Sequence, residues 1–277
     1  MQKKRIGQLS QKRLSDFRLI ALDMDGTSLD STGKLSSELI NFINGLNIEN
    51  LVIIFATGRM PMAIYNSLDK INISRIVVSH NGAIVSNLET GNVYYESNLP
   101  ESILSFAIRM HIVYNIPLHF NLMDKVVTDK ITSLSEDYAN HLEININETN
   151  LSELQEKVIS LLFLGGKHDL EKILEQFKKN YDNFSFVLIP DKSCWLLQIL
   201  PPETSKGKGV IKFASSLNIP KEQIMSFGDS YNDIEMLENS GLAIAMENAC
   251  NELKYIADYV APSNDNNGVL EVLKNLL

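Results

Sequence analysis

Cysteine is scarce: Cys194 and Cys250 are the only two in 277 residues. Two thiols cannot build a disulfide framework and show no metal-ligand spacing, so both are expected to be buried. Long apolar runs are missing as well. The most apolar stretches, Leu51 to Ala56 and Val158 to Leu164, fall far short of the roughly 18 to 20 residues that a membrane-spanning helix needs. The first apolar run starts only at Leu19 and is broken by Asp23 and Asp25, so no signal-peptide core follows the basic start. No membrane association and a cytoplasmic location are expected. There is no internal repeat and no low-complexity tract. With 44% apolar and 21% charged residues, the composition is that of a globular protein, not of a disordered or collagen-like one.

Positive charge is sparse beyond the beginning of the chain. Residues 1–18 hold six cations against Asp16, a net +5, which leaves −14 for the rest of a chain whose total is −9. A body of that sign repels nucleic acid, whose binding depends on Lys and Arg neutralising phosphates, and no nucleic-acid partner is expected. The basic residues 1–17 are read as an N-terminal extension outside the fold.

The length favours two domains, or one domain carrying an insert. From Leu19 onward, short and almost wholly apolar runs (Leu19 to Leu22, Leu51 to Ala56, Ile76 to Val78) alternate with helical periodicity, as in parallel strands covered on both faces. The alternation returns at Ile224 to Phe227 and Leu242 to Ala245. Between these halves, Ile84 to Leu200 mixes hairpin signals, such as Glu89-Thr90-Gly91-Asn92, with amphipathic helices. The expected architecture is α/β: a Rossmann-like parallel-sheet core over 18–83 and 201–277 with an inserted α+β domain over 84–200.

Four segments carry chemistry. Asp23-Met24-Asp25-Gly26-Thr27 ends the first apolar run, and side chains two apart on an extended segment share a face. One acid is then placed to attack and the other to serve a leaving group, while a divalent cation offsets the cost of bringing them together; an acidic turn fits the same residues. Thr57-Gly58-Arg59 ends the second run with a hydroxyl and an approachable amide, suited to phosphate oxygens. Ser205-Lys206-Gly207 opens a helix with a compact cation able to hold a phosphoryl group, without the spacing of a nucleotide-binding loop. Gly228-Asp229-Ser230-Tyr231-Asn232-Asp233 supplies hard oxygen ligands after a late strand, a match for magnesium. Three of these segments directly follow core strands, the edge where open α/β sheets bind ligands.

In this order the four segments resemble the motifs of the haloacid dehalogenase superfamily, specifically its Cof-type phosphatases. The resemblance runs over roughly residues 18–277 and extends to Asn81-Gly82-Ala83, Ala245-Met246-Glu247-Asn248-Ala249 and Gly268-Val269. It implies a cap domain inserted into the core and a Mg2+-dependent hydrolase of small phosphorylated metabolites, sugar phosphates foremost, acting as a monomer or weak homo-oligomer. Asp23 would be the nucleophile and Asp25 the acid and base. Mg2+ would be held by Asp23, the carbonyl of Asp25 and Asp229. Thr57, Gly58, Lys206 and Asn232 would hold the phosphoryl group, with Asp233 orienting Lys206 or a magnesium-bound water. Ser28 departs from the usual apolar residue, a change expected only to alter the flap slightly. Two other functions use the same residues: a phosphomutase, and a phosphometabolite-binding module without turnover. His80 is expected to pack or to stabilise its turn.

Overall fold

The computed structural model describes residues 12–73, 75–190 and 193–277, and the chain divides into two compact units. One runs through Gly58 and includes Tyr65–Tyr95 and Ser205–Leu277; the other comprises Arg59–Ile64 and Glu96–Thr204. In the first unit the apolar runs form β1 (Leu19–Asp23), β2 (Val52–Ala56) and β3 (Ile76–Ser79), which pair in parallel. Helix α1 (Ser37–Gly45) links β1 to β2. It starts at Ser36, whose hydroxyl accepts from the Leu39 amide and so satisfies one of the open donors of the first turn. The short α2 (Pro61–Tyr65), with proline at its first position, follows β2 and falls in the second unit through Ile64.

The hairpin of β4 (Ile84–Asn87) and β5 (Val93–Glu96) corrects the expected boundary. β4 pairs antiparallel with β3, and β5 lies at the edge of the same sheet, so the hairpin belongs to the core and not to the insert. The chain leaves the core unit after Tyr95 and returns at Ser205. The turn chemistry was legible, but a hairpin does not encode which sheet it joins.

The second unit contains α3 (Glu101–Tyr114), β6 (Leu118–Asn121), β7 (Val126–Thr128), α4 (Ser133–Leu142), β8 (Ile146–Glu148), β9 (Ser160–Gly165), α5 (Lys167–Asn180), β10 (Ser185–Pro190) and β11 (Trp195–Leu200). Its six strands form their own sheet in the order β10-β11-β9-β6-β7-β8. Alternate residues Leu118 and Phe120, Leu161 and Phe163, and Leu197 and Ile199 join Phe106 of α3 and Phe177 of α5 in one buried cluster. The Phe106 and Phe177 rings meet edge to face at 4.9 Å.

Back in the core unit come α6 (Lys206–Ser216), β12 (Ile224–Gly228), α7 (Ile234–Glu238), β13 (Leu242–Met246), α8 (Asn251–Ile256), β14 (Tyr259–Ala261) and α9 (Gly268–Asn275). The sheet order β14-β13-β12-β1-β2-β3-β4-β5 places β1 centrally, between β12 and β2. Every residue of β1, β12 and β13 is buried, which is why these strands read as unbroken apolar runs.

The N-terminal boundary also shifts. Residues 1–11 of the basic segment lie outside the described residues, but Leu14 and Phe17 are buried, the Leu14 amide donates to the Leu276 carbonyl and Lys12 reaches the Gly241 carbonyl. The segment from Lys12 on is therefore part of the fold: its cations stay outside while its two apolar side chains pack. Cys194 and Cys250 are half-buried, not buried as expected, because one precedes β11 and the other caps α8. Among the described residues no helix is long and apolar enough to cross a membrane.

Candidate active site

Sheet register brings the motifs together. Leu22 pairs with Phe227 and with Phe55, and Asp23 pairs with Ala56, so β1, β2 and β12 end at nearly the same level. Adjacent strands lie about 4.8 Å apart, so the residues that follow them, Asp25, Thr57 and Asp229, issue side by side from one edge of the sheet. This is also the point where the chain connections diverge from β1 to either side, the usual ligand crevice of such sheets.

After Asp23 the backbone turns through Met24–Ser28. Gly26 has φ of 75°, and a Cβ there would sit 2.3 Å from Asp229 Oδ2, so only glycine permits both the bend and the approach of that carboxylate. The buried Ser28 hydroxyl donates to the Asp23 carbonyl at 2.6 Å, and Asn248 donates to the Gly26 carbonyl at 2.7 Å. Ser28 thus pins the end of β1, a firmer role than the slight flap change expected. Asp25 is exposed in this turn, whereas Asp23 is buried.

Lys206 is the first residue of α6, and the Ser205 hydroxyl caps that helix by accepting from the Lys208 amide. Its ammonium, 3% exposed, donates to Asp23 Oδ1 at 2.5 Å and to Asp233 Oδ1 at 2.8 Å. The other oxygen of Asp233 accepts from the amides of Asp229 and Ser230, which shapes the loop after β12. Asp23, Asp229 and Asp233 each present an oxygen within 4.8 Å of the others. One ammonium does not balance three carboxylates. Burial, and then repulsion from Asp233, raise Asp23 well above the usual carboxylate range and raise Asp229 to about 6, while the two buried carboxylates hold Lys206 protonated against its desolvation.

Asp23 Oδ2 is buried with no hydrogen-bond partner among the described residues. An orphaned carboxylate oxygen, excess negative charge and an all-oxygen donor set together fit a hard divalent cation. The Asp229 titration has a signed consequence. Its folded pKa lies above the unfolded value, so the cost of burying its charge is absent below about pH 4, grows between about 4 and about 6 and is full above that. In chelator, Asp229→Asn is expected to be more stable than the parent at pH 7.5, by up to about 3 kcal/mol at 1.36 kcal/mol per unit, with the advantage shrinking by pH 4.5. Urea unfolding at the two pH values measures it, and a pH-independent difference would refute this account of the charge.

The sequence-predicted residues divide as follows. Asp23, Lys206, Asp229 and Asp233 form one connected cluster. Thr57 is buried, its amide bonded to the Val78 carbonyl. Gly58 lies against the Asn81 side chain, and Asn232 donates to Asn81 Oδ1 at 2.9 Å. His80 is buried, and burial alone pushes its imidazole down to about 3, so it is neutral. The sequence reading gave no role to Asn81 or Asn248; both lie in segments that the resemblance had marked.

The model of the haloacid dehalogenase-like hydrolase family matches residues 20–273. The chain is 27% identical to the phosphatase YwpJ of Bacillus subtilis, over 94% of this chain and all of that one. It is also 27% identical to the 5-amino-6-(5-phospho-D-ribitylamino)uracil phosphatase YitU of the same organism, covering 92% of this chain and 96% of that one. Among solved structures, TM0651 from Thermotoga maritima superposes with a TM-score of 0.82 at 28% identity, covering 94% of this chain and 98% of that one. With the four motifs gathered at one sheet edge and the match spanning nearly the whole chain, the protein belongs to the haloacid dehalogenase-like hydrolases, as one of their Cof-type phosphatases.

Proposed function

We propose that the protein hydrolyses small organic phosphate monoesters, sugar phosphates foremost, with magnesium as cofactor and through an aspartyl-phosphate intermediate at Asp23. The observation that carries this reading is the buried Asp23 carboxylate, with one oxygen on Lys206 and the other without a hydrogen-bond partner among the described residues. Asp23 attacks phosphorus as the bond to the alkoxide oxygen breaks, and Asp25 gives its proton to that oxygen. Asp25 then takes a proton from water, which attacks phosphorus, releases inorganic phosphate and restores the Asp23 carboxylate. Thr57, the Gly58 amide, Lys206 and Asn232 hold the phosphoryl oxygens, and Asp233 holds Lys206 in place. Asp23, Asp229 and the Asp25 carbonyl are the residues that would hold magnesium. When bound, the ion neutralises charge on the phosphoryl oxygens.

The named substrate of YitU is a phosphate ester of a polyhydroxylated ribityl chain, which supports small phosphorylated metabolites as the substrate class. A panel of sugar and polyol phosphates assayed with Mg2+ and with EDTA tests the proposal. Phosphate release that needs Mg2+ but no bisphosphate activator is expected. Transfer to a second hydroxyl without release would support the phosphomutase instead, and full activity in EDTA would refute the cofactor. Asp25→Asn is expected to lose about 10² to 10⁴ in turnover. Steady-state kinetics at saturating Mg2+ measures this, and parent-like turnover there would remove Asp25 from the acid and base role.

A further inference from the structure

The turn between β3 and β4, His80–Gly82, touches each of the loops assigned above to the phosphoryl group. Three consecutive residues there are left-handed, with φ of 47° at His80, 48° at Asn81 and 98° at Gly82. Such a run is costly for residues other than glycine, and asparagine tolerates it better than most. The Asn81 amide donates to the Thr57 carbonyl at 2.9 Å, which ties the turn to the loop after β2. A Cβ on Gly58 would lie 3.0 Å from Asn81 Nδ2, so the Asn81 side chain packs directly on the Gly58 backbone. On its other side Asn81 Oδ1 accepts from Asn232 Nδ2 at 2.9 Å. One residue on, Gly82 packs so closely on Ser205, the cap of the helix that begins with Lys206, that a Cβ would fall 1.9 Å from the Ser205 carbonyl oxygen.

We infer that Asn81 is a positioning residue for phosphoryl binding: its side chain fixes the Asn232 amide and the Thr57–Gly58 loop relative to one another. The inference rests on the proposed phosphatase reading, which gives Asn232 and Gly58 their ligand. The physical argument is one of direction. With one Nδ2–H donated to Asn81 Oδ1, the Asn232 amide has a fixed rotamer and one remaining N–H to offer. An unanchored asparagine would sample several orientations and lose affinity on ordering them. The left-handed backbone is what turns the Asn81 side chain back across Gly58, and Gly82 follows because the turn runs against the start of α6.

Asn81→Gly separates the two roles of this position, since glycine keeps the left-handed backbone without strain and removes only the amide. With p-nitrophenyl phosphate as substrate and inorganic phosphate as inhibitor, the KM and the inhibition constant are expected to rise about tenfold, with kcat changed much less, the signature of lost binding. Asn232→Ala, which also removes a phosphoryl donor, is expected to give at least as large a rise, and the double variant less than the sum of the two, because Asn81 acts in part through Asn232. A purely structural role predicts a lower Tm with KM and inhibition constant unchanged, and that result overturns the inference, as does full additivity of the two variants. If Asn81→Gly fails to fold, Asn232→Ala removes the same bond from its other end without touching the left-handed turn, and an unchanged KM and inhibition constant there are equally fatal. Failure of the underlying reading shows separately: Asp23→Asn would retain turnover whatever Asn81 does.

Discussion

Asp23→Asn is expected to abolish phosphate-ester hydrolysis, by at least about 10³-fold in kcat as befits loss of the proposed nucleophile, while the protein stays folded. The substitution is nearly isosteric at the end of a strand whose other residues are wholly apolar and buried. Lys206 keeps Asp233 as a partner at 2.8 Å, so its ammonium is not stranded. The charge that disappears is one that burial and the neighbouring Asp233 disfavour, so in EDTA the variant should melt no lower than the parent. The two measurements pull apart the explanations. Dead enzyme with a parent-like or raised Tm is the signature of a chemical residue, and a dead enzyme with a collapsed Tm would make Asp23 structural. Near-normal turnover in verified Asp23→Asn protein would end the covalent mechanism.

That Asp23 could be singled out at all follows from what a buried parallel strand looks like. Leu19 to Leu22 has no polar residue, so two carboxylates directly after it stand out against their surroundings, and the same contrast marks Thr57 after Phe55-Ala56 and Asp229 after Phe227-Gly228. Lys206 follows no such strand. It was legible by its place in the motif order, and its burial between two carboxylates is a tertiary fact. The hairpin of β4 and β5 was visible as a hairpin, yet its sheet was misassigned, because turn residues specify local geometry and not the neighbour of the outer strand. β8 and β14, three residues each, are too short for any periodicity to show. Leu14 and Phe17 were hidden among cations, which say nothing of where the intervening apolar side chains go. Asn81 escaped because its role depends on a left-handed backbone and on Asn232, 151 residues away in sequence.

Lys206→Met is expected to cost more stability than the other substitutions considered. Methionine matches the volume and keeps the apolar stem packed, so the change isolates the ammonium. Removing it leaves Asp23 and Asp233 facing one another and Asp229 in a buried site without their shared counterion. Taking one partner from a buried ion pair destabilises by about 3–5 kcal/mol, because the remaining charge is neither hydrated nor compensated. The sign of the pH dependence follows. Without Lys206 the folded carboxylates bind protons more tightly still, so the deficit is largest at pH 7.5 and shrinks as pH falls and they protonate. Lys206→Arg should not rescue fully, since a planar guanidinium does not fit a site in which the lysine is 3% exposed. Urea unfolding in EDTA at pH 7.5 and pH 5 reads the deficit, and adding Mg2+ at pH 7.5 should recover part of it in stability but not in turnover, because on the proposed reading the phosphoryl group has lost a donor that no metal ligand replaces. A loss below about 1 kcal/mol at pH 7.5, in the range of an exposed pair, would mean that the ammonium does not balance the cluster, and the charge assignment of the whole site would have to be redrawn.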